Sequence, residues 1–104
     1  MTLDRPVQVL IALKGELDVA RRDELEQMAV IACDGDLAIV DMTEVTFLDS
    51  TVLNWLVRTK QALERKSGQL RVIAPNGIVT RLVSIAGLEG VIEVFPTQLE
   101  AQGA

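Results

Sequence analysis

The chain contains no histidine. Without an imidazole, neither a histidine base nor a histidine metal ligand is available. One cysteine, Cys33, rules out an internal disulfide framework. It follows Ile31 and Ala32 and reads as a packed thiol, because free cysteine behaves as a small hydrophobe. Only three rings are present, Phe47, Trp55 and Phe95, so a core must be built from Val, Leu, Ile and Ala. Basic residues are outnumbered, 10 against 15 acidic ones, which leaves a net charge of −5. That balance argues against direct contact with nucleic acid or an anionic membrane. No apolar run reaches about 18 residues, so no membrane insertion is expected. The opening "MTLDRPVQVLIALKGELD" has charges interrupting its apolar run and does not read as a signal peptide. There is no P-loop, and no G-x-G-x-x-G follows a strand. These absences lower the prospect of catalysis, call for no cofactor or metal, and lead us to expect a cytoplasmic domain.

What is present is a chain of 104 residues, 49% of them hydrophobic. That fits one folded domain, residues 1–104, with one core. "VQVLIAL", 7–13, reads as a strand that can be buried on both faces. Gly15 breaks it, and a helix is expected to start near Asp18, with Leu25, Met28, Ala29, Ile31 and Ala32 on its apolar face. "LAIVDM", 37–42, reads as a short central parallel strand, and "TEVTF" as a linker or loop. The clearest helix spans 50–66, where Leu53, Leu56, Val57, Lys60 and Leu63 follow the helical rhythm. Lys60 is expected to bury its stem and keep its amine wet. "LRVIA", 70–74, is a third strand and Pro75-Asn76-Gly77 a turn. The next helix is expected to turn Ile78, Leu82, Val83, Ile85 and Ala86 inward. "VIEVF", 91–95, reads as a last strand, closed by Pro96 and a terminal helix or tail. Strands alternating with helices imply an α/β sheet, largely parallel.

The acidic residues Asp18, Asp41, Glu44 and Asp49 fall near strand ends. Their plain role is as caps and solvated loop charges. A divalent-metal site built on Asp41 and Asp49 needs more oxygen ligands than the sequence supplies. The stretch "FLDSTVLNW", 47–55, is more informative. Asp49 or Ser50 can cap the helix that follows. A hydroxyl at that start also sits on the rim beyond a strand end, where α/β sheets tend to place ligand and partner sites. A phosphoryl group there meets free N–H groups and the positive end of the helix. It also adds roughly −1.5 to −2 charges, and Asp49 beside it deepens the repulsion felt by a docked partner.

Three stretches together resemble the STAS domain family, that of the bacterial anti-sigma factor antagonists. They are "LKGELDVA" (13–20), "AIVDMTEVTFLDSTVLNWLV" (38–57) and "LRVIAPNGIVTRLVSIAGL" (70–88). The resemblance implies a STAS-like two-layer α/β domain, with a mixed sheet of four to five strands and helices mainly on one side. It implies an anti-sigma factor antagonist that binds an anti-sigma factor acting as a serine protein kinase. Phosphorylation then breaks the complex, and a phosphatase restores it. The serine modified in the family matches Ser50, its aspartate matches Asp49, and Thr51 is the rival acceptor. Asp18 matches an aspartate near the partner-binding surface, and Gly15 the turn before it. Asp18, Asp49, Ser50, Thr51, Val52 and Trp55 are therefore the expected partner-binding residues. Val52 stands where the family usually has glycine, which allows close backbone approach. A branched side chain there would reshape the contact. Trp55 is either an exposed interface anchor or the cover of a core edge. The alternative reading is a non-switching STAS adaptor, held in a lipid-transport ABC system or a stress-signalling complex.

Overall fold

The structure, a computed structural model, describes residues 7–103. Four strands alternate with helices along the chain: β1 (Gln8–Leu17), α1 (Arg22–Ala32), β2 (Leu37–Leu48), α2 (Ser50–Glu64), β3 (Gln69–Ile73), α3 (Gly77–Ile85), β4 (Val94–Phe95) and α4 (Gln98–Gly103). The strands lie in the order β1-β2-β3-β4. All three pairings are parallel, so the mixed pairing implied by the resemblance is not seen among the described residues.

The core lies on one face of the sheet. Ile11, Leu13, Val40, Met42, Leu70 and Val72 point into it from the strands. Leu25, Val52, Leu56, Leu63, Val79 and Val83 meet them from α1, α2 and α3. Removing these side chains from water is the main stabilising term. A second, smaller cluster covers the opposite face: Leu37, Ile39 and Ile73 under Ala101 of α4, with Phe95 at its edge. Arg71 reaches across that face and donates from one Nη to the Ala101 carbonyl oxygen at 2.8 Å. Thus three helices cover one face and one short helix covers part of the other.

Two segments are strand where a break was expected. β1 continues through Gly15, whose φ of +77° suits a residue without a Cβ, and shifts register there and after Ala12. "TEVTF" is the second half of β2 and not a loop. Its pattern is polar because β3 pairs β2 only over Leu37–Asp41. Beyond that point β2 has β1 alone as a neighbour, and much of its surface meets water. The last strand is shorter than expected, Val94–Phe95.

The inner face of α3 also differs from the expectation. Val79 and Val83 are buried and Leu82 is half-buried, whereas Ile78, Ile85 and Ala86 are exposed. Ile31 of α1 is likewise exposed. Lys60 of α2 behaves as expected, with its stem half-buried and its ammonium on Glu64.

Candidate functional site

Strands that run parallel deliver their carboxyl ends to one rim, and three capped corners stand there. Leu17 of β1 pairs with Leu48 of β2, so the residues that follow, Asp18 and Asp49, leave adjacent strand ends. Both carry extended backbone. The Asp49 carboxylate accepts the Thr51 N–H at 2.9 Å and starts α2. The Asp18 carboxylate accepts the Ala20 N–H at 2.9 Å and starts the single 3-10 turn Val19–Arg21, which leads into α1. Asn76 does the same for α3 through the Ile78 N–H at 3.1 Å. Each cap satisfies an amide that the helix itself leaves unpaired. Asp18 and Asp49 are therefore structural first, each with one carboxylate oxygen on a cap.

The Asp18 corner has a second support. The Arg21 guanidinium donates to the carbonyl oxygens of Lys14 and Glu16, at 3.1 and 3.0 Å, on either side of Gly15. It also grips Glu24 through two bonds of 2.7 and 2.9 Å. That paired hydrogen bond holds the Glu24 carboxyl below the usual carboxylate range and raises Arg21 further.

Ser50 is the first residue of α2 and is exposed. Its hydroxyl makes no hydrogen bond among the described residues, while the neighbouring cap runs from Asp49 to the Thr51 amide. Thr51 is half-buried and lines a groove of about 460 Å³ between α1 and α2. Arg22 and Glu26 line it from α1, and Asn54, Val57 and Arg58 from α2. Arg58 and Glu26 are 3.5 Å apart across it.

Val52 and Trp55 do not belong to this surface. Val52 has 0% of its surface exposed and packs into the core, so its branched side chain faces away from any docked partner. Trp55 is 1% exposed, and its indole N–H donates to the Leu25 carbonyl oxygen at 2.6 Å. Of the two readings of Trp55, the covered core edge is the correct one. The expected partner contacts at both positions are corrected accordingly. Among the described residues no three carboxylates or thiols converge as metal ligands. No helix there is long and apolar enough to cross a membrane.

The sequence reading missed the groove residues Arg22, Glu26, Asn54 and Arg58. One signal was available. Arg21 and Arg22 stand at the junction where the 3-10 turn leads into α1, although cations are disfavoured at a helix start. It also missed an open apolar cleft of about 620 Å³ between the end of β2 and α3, lined by Phe47, Leu48, Ile78, Leu82 and Ile85. No sequence signal marked it, because Ile78, Leu82 and Ile85 were assigned inward and Phe47 to a loop.

A parallel sheet with helices mainly on one face, and an exposed hydroxyl on its capped rim, defines a small two-layer α/β domain. The chain belongs to the STAS domain family, whose model matches residues 2–101. It is 33% identical over 86 residues to an anti-sigma-B factor antagonist of Staphylococcus aureus (strain NCTC 8325 / PS 47), an alignment covering 81% of this chain and 80% of that one. It is 26% identical over 95 residues to the anti-sigma-B factor antagonist of Listeria monocytogenes, covering 89% and 83%. Among solved structures it resembles an anti-sigma factor antagonist from Mycobacterium paratuberculosis. There the TM-score is 0.83 and the identity 25%, over 99% of this chain and 89% of that one.

Proposed function

We propose that this protein is a cytoplasmic anti-sigma factor antagonist. In its unmodified form it binds an anti-sigma factor that is also a serine protein kinase. It is switched off by phosphorylation of Ser50 and restored by a phosphatase. The observation that carries this reading is the placement of Ser50: exposed, without a hydrogen-bond partner among the described residues, and at the capped rim. The relatives named anti-sigma-B factor antagonists support the same role.

The chemistry is a phosphoryl transfer. Ser50 Oγ attacks the γ-phosphorus of ATP, a new O–P bond forms, and the bond to the β-phosphate oxygen breaks. ADP leaves, and the serine proton passes to a base on the kinase. Phosphatase-catalysed attack by water releases inorganic phosphate and regenerates the hydroxyl. Asp49 keeps its cap on the Thr51 amide, so α2 tolerates the new charge. A partner covering the corner tolerates it less, since a misplaced like charge in an interface costs several kcal/mol. About 3 kcal/mol corresponds to a complex weakened roughly 10²-fold.

The test is affinity for the partner kinase together with mapping of the phosphate after incubation with ATP. Ser50→Ala is expected to bind and resist modification, and Ser50→Asp to fold and bind poorly. Phosphate found solely on Thr51, or equal affinity for all three forms, would falsify the assignment.

A further inference from the structure

The groove between α1 and α2 holds two guanidiniums and one carboxylate in a chain whose net charge is −5. Arg58 is partly neutralised by Glu26 at 3.5 Å. Arg22 is exposed and has no ion pair or side-chain hydrogen bond among the described residues. It also stands at the first position of α1, where the helix end is already positive and a cation is disfavoured. Its neighbour Arg21 shares that penalty but offsets it with four hydrogen bonds to Lys14, Glu16 and Glu24. Among the described residues no hydrogen bond or ion pair of its side chain offsets it for Arg22. A residue that breaks a local rule without local compensation points to a role outside the fold.

The groove begins one residue past Ser50, at Thr51. Thr51 and Asn54 line it from α2. Ser50 precedes Asn54 by one helical turn, which sets their Cβ atoms about 5–6 Å apart on the same stripe. The Arg22 guanidinium, on the facing helix, lines the same groove as Thr51 and Asn54, the residues beside Ser50 and one turn beyond it.

We propose that Arg22 is an internal receptor for the phosphoryl group on Ser50. This rests on the phosphorylation reading above and assigns the regulation of that same site. The planar fork of a guanidinium matches phosphoryl oxygens with two parallel donors. In the unmodified protein the corner presents a free cation beside an open hydroxyl. In the modified protein that cation is paired, and a residual charge of about −1 is left in its place. Phosphorylation thus both adds an anion and withdraws the groove cation that has no ion pair among the described residues, which sharpens the difference between the two forms that a partner meets.

The test installs phosphoserine at position 50 during translation, so no kinase is needed. The second ionisation of the phosphate is followed by 31P NMR across pH 4–8 (roughly the range spanning a second pKa of about 6). Its midpoint is expected below that of the same phosphoserine in the urea-unfolded chain. Arg22→Gln is expected to raise the midpoint by about half a unit or more toward the unfolded value. Arg22→Lys is expected to fall between, because it keeps the charge and loses the fork. Arg58→Gln is expected to change it less than Arg22→Gln, since Arg58 already faces Glu26. Emission of the buried Trp55 reports that each variant is folded. Equal midpoints in the parent, Arg22→Gln and Arg22→Lys proteins overturn the proposal. So does a lowered midpoint for phosphothreonine at 51 with none for phosphoserine at 50. If instead no kinase modifies Ser50, the switch reading fails while the midpoints stand as measured, so the two failures are separate.

Discussion

The indole N–H of Trp55 donates to the backbone oxygen of Leu25 at 2.6 Å, tying α2 to α1 through the core. This is the only tryptophan, and the chain has no tyrosine. Its emission is therefore expected to be blue-shifted and resistant to iodide in the native protein, and to shift red on unfolding. Trp55→Phe keeps most of the packing and removes the hydrogen bond, at a cost of about 1 kcal/mol or more. Trp55→Ala also empties the space beneath α1 and is expected to cost about 3–5 kcal/mol. Urea unfolding followed by circular dichroism checks both, because it does not depend on the ring that is removed. A Trp55→Ala variant as stable as the parent would contradict the burial of this side chain.

Asp49 and Ser50 are neighbours with separable roles. Asp49 caps α2 through the Thr51 amide, and Ser50 is exposed beside it. Asp49→Ala is expected to lose about 1 kcal/mol of stability, and Asp49→Asn much less, since an amide oxygen still caps. Ser50→Ala is expected to change stability by no more than about 0.5 kcal/mol, as exposed positions generally do. Denaturant midpoints for the three variants test this directly. A large loss for Ser50→Ala would make its hydroxyl structural and weaken the case for a switch there.

Val52 lies where glycine is usual in the family, yet its side chain is fully enclosed by the core. Restoring glycine is therefore expected to harm the fold without opening the rim. Val52→Gly removes buried methyl groups and adds the entropic cost of glycine inside a helix, together about 2–4 kcal/mol. Val52→Ala separates the two and is expected to lie between. If partner affinity, measured at a temperature where both proteins are folded, rose with Val52→Gly, the side chain would be acting on the interface after all.

The alternation of strands and helices was legible because the central strands are nearly continuous apolar runs. "LAIV" of β2 is buried at all four positions, so no competing periodicity obscured it. α2 was legible as a helix, but its inner face was drawn too narrowly. It is enclosed by the sheet and by α1, so Val52, Trp55 and Thr59 are buried beside the row of Leu53, Leu56 and Leu63. α3 misled for the opposite reason. "GIVTRLVSI" carries apolar residues on several sides, and periodicity alone does not say that Ile78 and Ile85 are the ones left outside. The polar half of β2 read as a loop because it lacks β3 as a neighbour, a fact of topology and not of composition. The Asp49 cap and the exposed position of Ser50 at the start of α2 were recoverable from their motif. The groove was not, because the pattern of one helix does not reveal which residues of another will face it.

Arg21 and Glu24 give the Asp18 corner a pH dependence whose sign can be worked out. The hydrogen bonds from Arg21 lower the Glu24 carboxyl below its value in the unfolded chain. A depressed carboxylate stabilises the fold fully above its unfolded pKa, about 4.3. That contribution is lost as the pH falls through the lower, folded value. The raised guanidinium of Arg21 has the opposite sign, with its contribution present below the ordinary arginine range, so it stays constant across any usable pH. Both side chains are partly exposed, at 30% and 44%, so solvent screens the pair and the whole effect is expected to be no more than about 1 kcal/mol. Glu24→Gln should therefore be modestly less stable than the parent at pH 7 and indistinguishable from it once the pH is well below 4.3. Because Arg21 also holds the carbonyls flanking Gly15, the amides of 14–18 should exchange faster in Glu24→Gln at pH 7. Urea midpoints across pH 3–8 and hydrogen exchange at those amides are the measurements. A stability gap that persisted unchanged into acid would mean that Glu24 acts through packing, and its charge would then have no part in shaping this corner.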